Sequence, residues 1–193
     1  CDSDWSSDVC SSDLKYVEMF REGPEDEERN IGRYIVFDRW MNITNHQKQR
    51  MSQLYDSEIR YMDSHVGRLI DHLKDKGEFR NTVIIFTADH GECLGENRLI
   101  DHNNLYRCSV RVPMILHIPG EEHREVEKTV SGIDILPTVF DILEIETEQE
   151  TRGESLLRPE EERRNYVYLE HSEGHYRLIG EDFEKHVDNR GNT

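Results

Sequence analysis

Two short apolar runs, Val83-Ile84-Ile85-Phe86 and Met114-Ile115-Leu116-His117-Ile118, bracket a long polar stretch from Thr87 to Pro113. Runs of this length, rich in Ile, predict buried strands. The stretch between them, TADHGECLGENRLIDHNNLYRCSVRVP, opens with Asp89-His90-Gly91 and carries His102 further on. Strand, polar loop, strand is an arrangement that confines reactive side chains to one edge of a sheet. In open α/β sheets the carboxyl ends of the strands are where sites are built. Asp89 and His90 bring an oxygen and a nitrogen donor together there, and Gly91 frees the backbone to turn just after them.

The flanking segments predict helices. Thr44 followed by Gln47 reads as a capping box. Beyond it, Met51, Leu54, Tyr55, Met62, Val66, Leu69, Ile70 and Leu73 recur at spacings of three, four and seven. That is one apolar stripe on a long helix running to Lys76 and stopped by Gly77. Lys74 and Lys76 suit the negative end of its dipole. Gly132 to Leu143, GIDILPTVFDIL, predicts a second helix, with Pro137 leaving its start open. Tyr166–Glu170 and His175–Ile179 alternate around Gly174 and predict a β-hairpin.

The remainder is polar. Lys15 to Arg33 reads as an acidic loop broken at Gly23-Pro24, with an EDEE run at 25–28. Residues 144–165 are acidic and Arg-rich around a small apolar island, Gly153 to Leu157, and the end from Gly180 to Thr193 carries no packing signal. A formal net charge of −17 argues against a nucleic-acid partner, because nothing in the chain offers a basic face to phosphates. No apolar run reaches the roughly 18 residues of a membrane span. Compartment and oligomeric state are not written in the sequence.

Residues 1–14, CDSDWSSDVCSSDL, have neither a helical nor a strand period, and Asp4 to Leu14 resembles the conceptual translation of a sequencing-adapter oligonucleotide. This segment is therefore set apart as foreign to the fold. Three segments are thereby expected: a foreign one at 1–14, a partial domain at 15–180 and a poorly ordered tail at 181–193. Setting the first aside leaves two cysteines, Cys93 and Cys108, whose spacing matches no zinc pattern. Each is expected to serve as a small buried hydrophobe.

Six signatures in order give the chain a resemblance to the sulfatase family of the alkaline-phosphatase-like superfamily. Asp63 to Leu69 reads DSHVGRL at the end of the long helix. Thr87 to Gly91 reads TADHG, followed by Leu94-Gly95-Glu96 and Arg111-Val112-Pro113. Asp134-Ile135-Leu136-Pro137-Thr138 and Gly153 to Leu157 complete the series. The resemblance covers about residues 44–157, over half of the chain. Cofactor-independent phosphoglycerate mutases also carry TADHG, but without LGE and RVP at these distances.

The resemblance implies an α/β fold: a partial alkaline-phosphatase-like sandwich, a mixed and mostly parallel sheet flanked by helices, truncated at both ends. It implies a single divalent metal, usually Ca²⁺, with Asp89 and His90 on its ligand positions. His102 falls where many members carry a lysine that contacts the sulfate, so it is expected to donate to a sulfate oxygen or to protonate the leaving oxygen. Asn97-Arg98 replaces the more usual His-Gly after LGE. Asp63 and Asp134 are expected to be structural and Arg111 to pair with a carboxylate. His65, His72, His171 and His175 are expected to be ordinary side chains.

Sulfatases attack with a formylglycine made from a Cys or Ser in a C/S-x-P/S/A-x-R motif. Cys10-Ser11-Ser12-Asp13-Leu14 imitates only its start, with Leu14 where Arg is required, so it is rejected as a nucleophile. The expected parent hydrolyses sulfate esters, and this portion of it is expected to be inactive. A phosphonate monoester or phosphodiester hydrolase of the same superfamily, or a non-catalytic binding relative, remains the alternative.

Overall fold

The computed structural model describes Tyr16, Met19, residues 44–96, 99–171, 174–180 and 183–187, and Arg190. The adapter-like segment, the EDEE run and Asn97-Arg98 lie outside the described residues. After Glu121 the chain divides into two compact units.

In the first unit the predicted capping box is formed. The Gln47 amide donates to Thr44 Oγ1 at 3.2 Å and the Thr44 amide donates to Gln47 Oε1 at 2.8 Å, opening helix α1 (Asn45–Asp75). At the other end Gly77 takes a φ of 73°, a left-handed conformation that glycine adopts without steric cost. The Gly77 and Glu78 amides donate back to the Lys74 and Leu73 carbonyls, which satisfies two acceptors that the helix leaves open.

Only the first turns of the predicted stripe are buried. Met51 packs against Ile100 and Leu94, and Leu54 is also buried. Met62 and Leu69 are 40% and 58% exposed. A 31-residue helix is about 46 Å long at 1.5 Å per residue and outruns the short elements it packs on.

Strand β1 (Ile84–Thr87) follows, then the two-residue strands β2 (Cys93–Leu94) and β3 (Ile100–Asp101), one turn of helix α2 (Arg107–Val110), and strand β4 (Met114–His117). β1 pairs antiparallel with β4, Ile84 opposite His117 and Thr87 opposite Met114. β2 pairs antiparallel with β3. The α/β class stands, but among the described residues every ladder is antiparallel, which corrects the expectation of a mostly parallel sheet. Parallel neighbours need a long crossover, usually a helix. Among the described residues the chain between β1 and β4 holds a hairpin of two two-residue strands and the four residues of α2, and no longer helix that would carry such a crossover.

A second correction concerns the cysteines. Cys93 and Cys108 are not separate buried hydrophobes but a disulfide, because β2 and α2 bring their Cα atoms to 4.9 Å. Arg111 is exposed and makes no ion pair among the described residues, contrary to expectation.

In the second unit a 3₁₀ turn, Gly132–Asp134, leads into helix α3 (Ile135–Ile142). Pro137 sits in the first turn, where no intrahelical partner for its missing N–H is lost. Buried Asp134 accepts from the Ser131 amide at 2.8 Å, the Glu154 amide at 2.9 Å and Arg164 Nη2 at 2.5 and 2.6 Å. Buried Thr138 donates to the Asp134 carbonyl and accepts from the Leu156 amide at 2.9 Å. The Asp134–Thr138 signature is thereby tied by hydrogen bonds to the Gly153–Leu157 signature. The structural role expected of Asp134 is what these contacts provide.

The predicted hairpin is strands β5 (Tyr166–Glu170) and β6 (Tyr176–Gly180). Strand β7 (Glu184–Val187) adds a third member where the sequence carries no packing signal.

Candidate functional site

The turn leaving β1 is pinned by the backbone that returns to it. The Gly91 amide donates to the Ser109 carbonyl at 2.7 Å, and a Cβ at position 91 would lie 2.2 Å from the Cys108 carbonyl oxygen. Glycine is required by this close approach of α2, a stronger reason than the turn itself. The disulfide between Cys93 and Cys108 ties the same two segments together.

Beyond the turn, the β2–β3 ladder sets the register. Cys93 stands opposite Asp101, so Glu92 and His102 occupy the next facing positions. Residues directly opposite on an antiparallel pair share a face. His102 Nδ1 lies 2.9 Å from Glu92 Oε2. The hairpin is held to α1 by Lys48, whose Nζ donates to the Gly95 carbonyl at 2.7 Å. Asn104 secures the exit of β3. Its Nδ2 donates to the Asp101 carbonyl, and its Oδ1 accepts from the Tyr106 amide and from Ser109 Oγ.

The three residues singled out in the sequence come together. The rings of His90 and His102 stack with centroids 4.1 Å apart and planes 21° from parallel. Asp89 Oδ2 lies 3.9 Å from His90 Nε2, and Asp89 Oδ1 accepts from the His90 amide at 2.9 Å. That backbone hydrogen bond holds the Asp89 carboxyl below its ordinary value, with the nearby imidazoles adding to the effect. His90 Nδ1 contacts the Gly91 carbonyl at 2.9 Å; a carbonyl only accepts, so that nitrogen is the donor and Nε2 is the ring nitrogen left free of this contact.

Glu92 is the residue that sequence reasoning missed. Its side chain is 7% exposed, against 32% for His102 and 90% for Asp89. Burial pushes the Glu92 carboxyl up, and the hydrogen bond and charge of His102 oppose that shift. Ligand atoms of His90, Glu92 and His102 all lie within 4.8 Å of one another. The signal for Glu92 is weak in sequence, since two-residue strands have no readable register.

A family model, Sulfatase, matches residues 10–145. The chain is 36% identical over 111 residues to the uncharacterized sulfatase YidJ of Escherichia coli (strain K12), covering 57% of this chain and 22% of the relative. It is 29% identical over 147 residues to an arylsulfatase of Clostridium perfringens, covering 69% and 31%. Among solved structures it resembles the phosphonate monoester hydrolase of Agrobacterium radiobacter, with a TM-score of 0.70 at 24% identity over 77% of this chain and 35% of that one. The chain thus spans less than a third of the length of these two curated relatives.

Proposed function

Because this chain belongs to the sulfatase family, we propose that the protein it comes from hydrolyses sulfate esters at a site that Asp89, His90 and His102 help to build. The observation that carries this reading is the convergence of these three side chains on one patch at the exit of β1.

Asp89 and His90 would hold a divalent metal, Ca²⁺ by the resemblance. The donor set fits in part. Asp89 Oδ2 and His90 Nε2 are 3.9 Å apart, a separation that two donors each about 2.4 Å from one ion can span. His90 Nδ1 is engaged by the Gly91 carbonyl, so Nε2 is the nitrogen left for a metal. Calcium takes six to eight ligands, so this pair supplies one side of the shell. When bound, such an ion supplies Lewis-acid polarisation of a sulfuryl oxygen.

His102 presents Nε2, which makes no hydrogen bond among the described residues, on the same patch. From there it would donate to a sulfate oxygen or protonate the departing oxygen. The formylglycine nucleophile of the resemblance has no counterpart in residues 15–193, which contain no matching Cys or Ser motif. Turnover by the 193-residue chain alone is therefore expected to be negligible.

The test is hydrolysis of an aryl sulfate by the purified 193-residue chain and by the longer natural protein, each with calcium and with a chelator. Activity in the longer protein alone, lost with the chelator, is the expected result. Metal-dependent turnover by the 193-residue chain contradicts the reading. So does a longer protein that cleaves aryl phosphonate esters and leaves aryl sulfates untouched.

A further inference from the structure

We infer that Glu92 is a positioning residue for His102, fixing which ring nitrogen faces the substrate. The inference rests on the proposed role of His102 and extends it to a residue for which the sequence signatures give no function.

The geometry is built from the backbone outward. The β2–β3 register sets Glu92 across from His102, and its Oε2 receives Nδ1 at 2.9 Å. The Glu92 side chain is almost fully enclosed, so little water competes for that contact. His90 stacks on the His102 ring at 4.1 Å and limits rotation about the remaining torsion. A carboxylate only accepts, so the His102 nitrogen facing it must carry a hydrogen. Nδ1 is thereby committed whatever the charge of the ring, and Nε2 is the nitrogen available to a sulfate oxygen or leaving group. A second group that fixes tautomer and ring orientation in this way is a familiar device in histidine sites.

The experiment reads the tautomer directly, by long-range ¹H–¹⁵N correlation spectra of His102 in the ¹⁵N-labelled 193-residue chain at a pH where the ring is neutral. The expected wild-type result is a protonated Nδ1 and an unprotonated Nε2, kept in Glu92→Gln, whose amide oxygen still accepts. In Glu92→Ala the ring is expected to shift toward the Nε2–H form. A wild-type ring already in the Nε2–H form overturns the proposal, and so does an unchanged tautomer in a folded Glu92→Ala. Should Glu92→Ala not fold, the wild-type and Glu92→Gln spectra still decide. The spectra need neither metal nor substrate. An absence of sulfatase activity in the longer protein would therefore leave this result standing, and its failure would leave the sulfatase reading standing.

Discussion

Cys93 in β2 and Cys108 in α2 are joined across a separation of 15 residues, and the loop they close contains His102. One end of this bridge lies three residues beyond His90 and the other one residue before Ser109, whose carbonyl accepts from Gly91. The covalent link therefore starts just beyond the turn that carries Asp89 and His90 and fastens the following strand to α2.

Removing the bridge restores freedom to the unfolded chain, and a loop of this length is worth about 3 kcal/mol in the chain-entropy description. The Cys93→Ser/Cys108→Ser variant is expected to lose stability of that order in denaturant unfolding. Its midpoint should not move further on adding a thiol reductant, whereas the wild-type midpoint should fall to meet it. Equal midpoints for wild type and variant under oxidising conditions would show that the bridge does not stabilise the fold.

Gly91 is the second point of attachment. A methyl group there meets the Cys108 carbonyl at 2.2 Å, too close for the backbones to stay as they are. Overpacking of this kind costs about 1–3 kcal/mol. Gly91→Ala is expected to lower the thermal midpoint, and chemical shifts of the Asp89 and His90 amides should move with it. A variant with the wild-type midpoint and unmoved amides contradicts the close approach.

What could be read from the sequence was whatever is local. Thr44, Gln47 and Gly77 specify the ends of α1 by their own hydrogen bonds and dihedral angles. The β5–β6 hairpin was legible because its strands are long enough to alternate around Gly174. Asp89, His90 and His102 stood out because they share one polar segment. Their convergence did not, since it depends on the β2–β3 ladder and one turn of α2, which are too short to show a period. The disulfide and Glu92 were hidden for the same reason. The antiparallel return of β4 depends on what lies between the strands, and the apolar runs themselves do not encode it.

The second unit offers an independent test of the signatures. Asp134 is buried and accepts from Arg164 and from two backbone amides. Breaking a buried charge pair while leaving the other partner in place costs about 3 kcal/mol. Asp134→Asn is expected to lose most of that in chemical unfolding, and Asp134→Asn combined with Arg164→Met less than the sum of the two single changes. Strict additivity would mean that the two side chains do not act as a pair.

The proposed hold of Asp89 and His90 on a divalent ion is central to the sulfate-ester reading, and a calcium titration of the ¹⁵N-labelled longer natural protein, followed by amide chemical shifts, reads it directly. The prediction is a saturable change centred on residues 89–91 that is lost in Asp89→Asn. Shifts spread evenly over the acidic surface, or an unaltered response in Asp89→Asn, would contradict it.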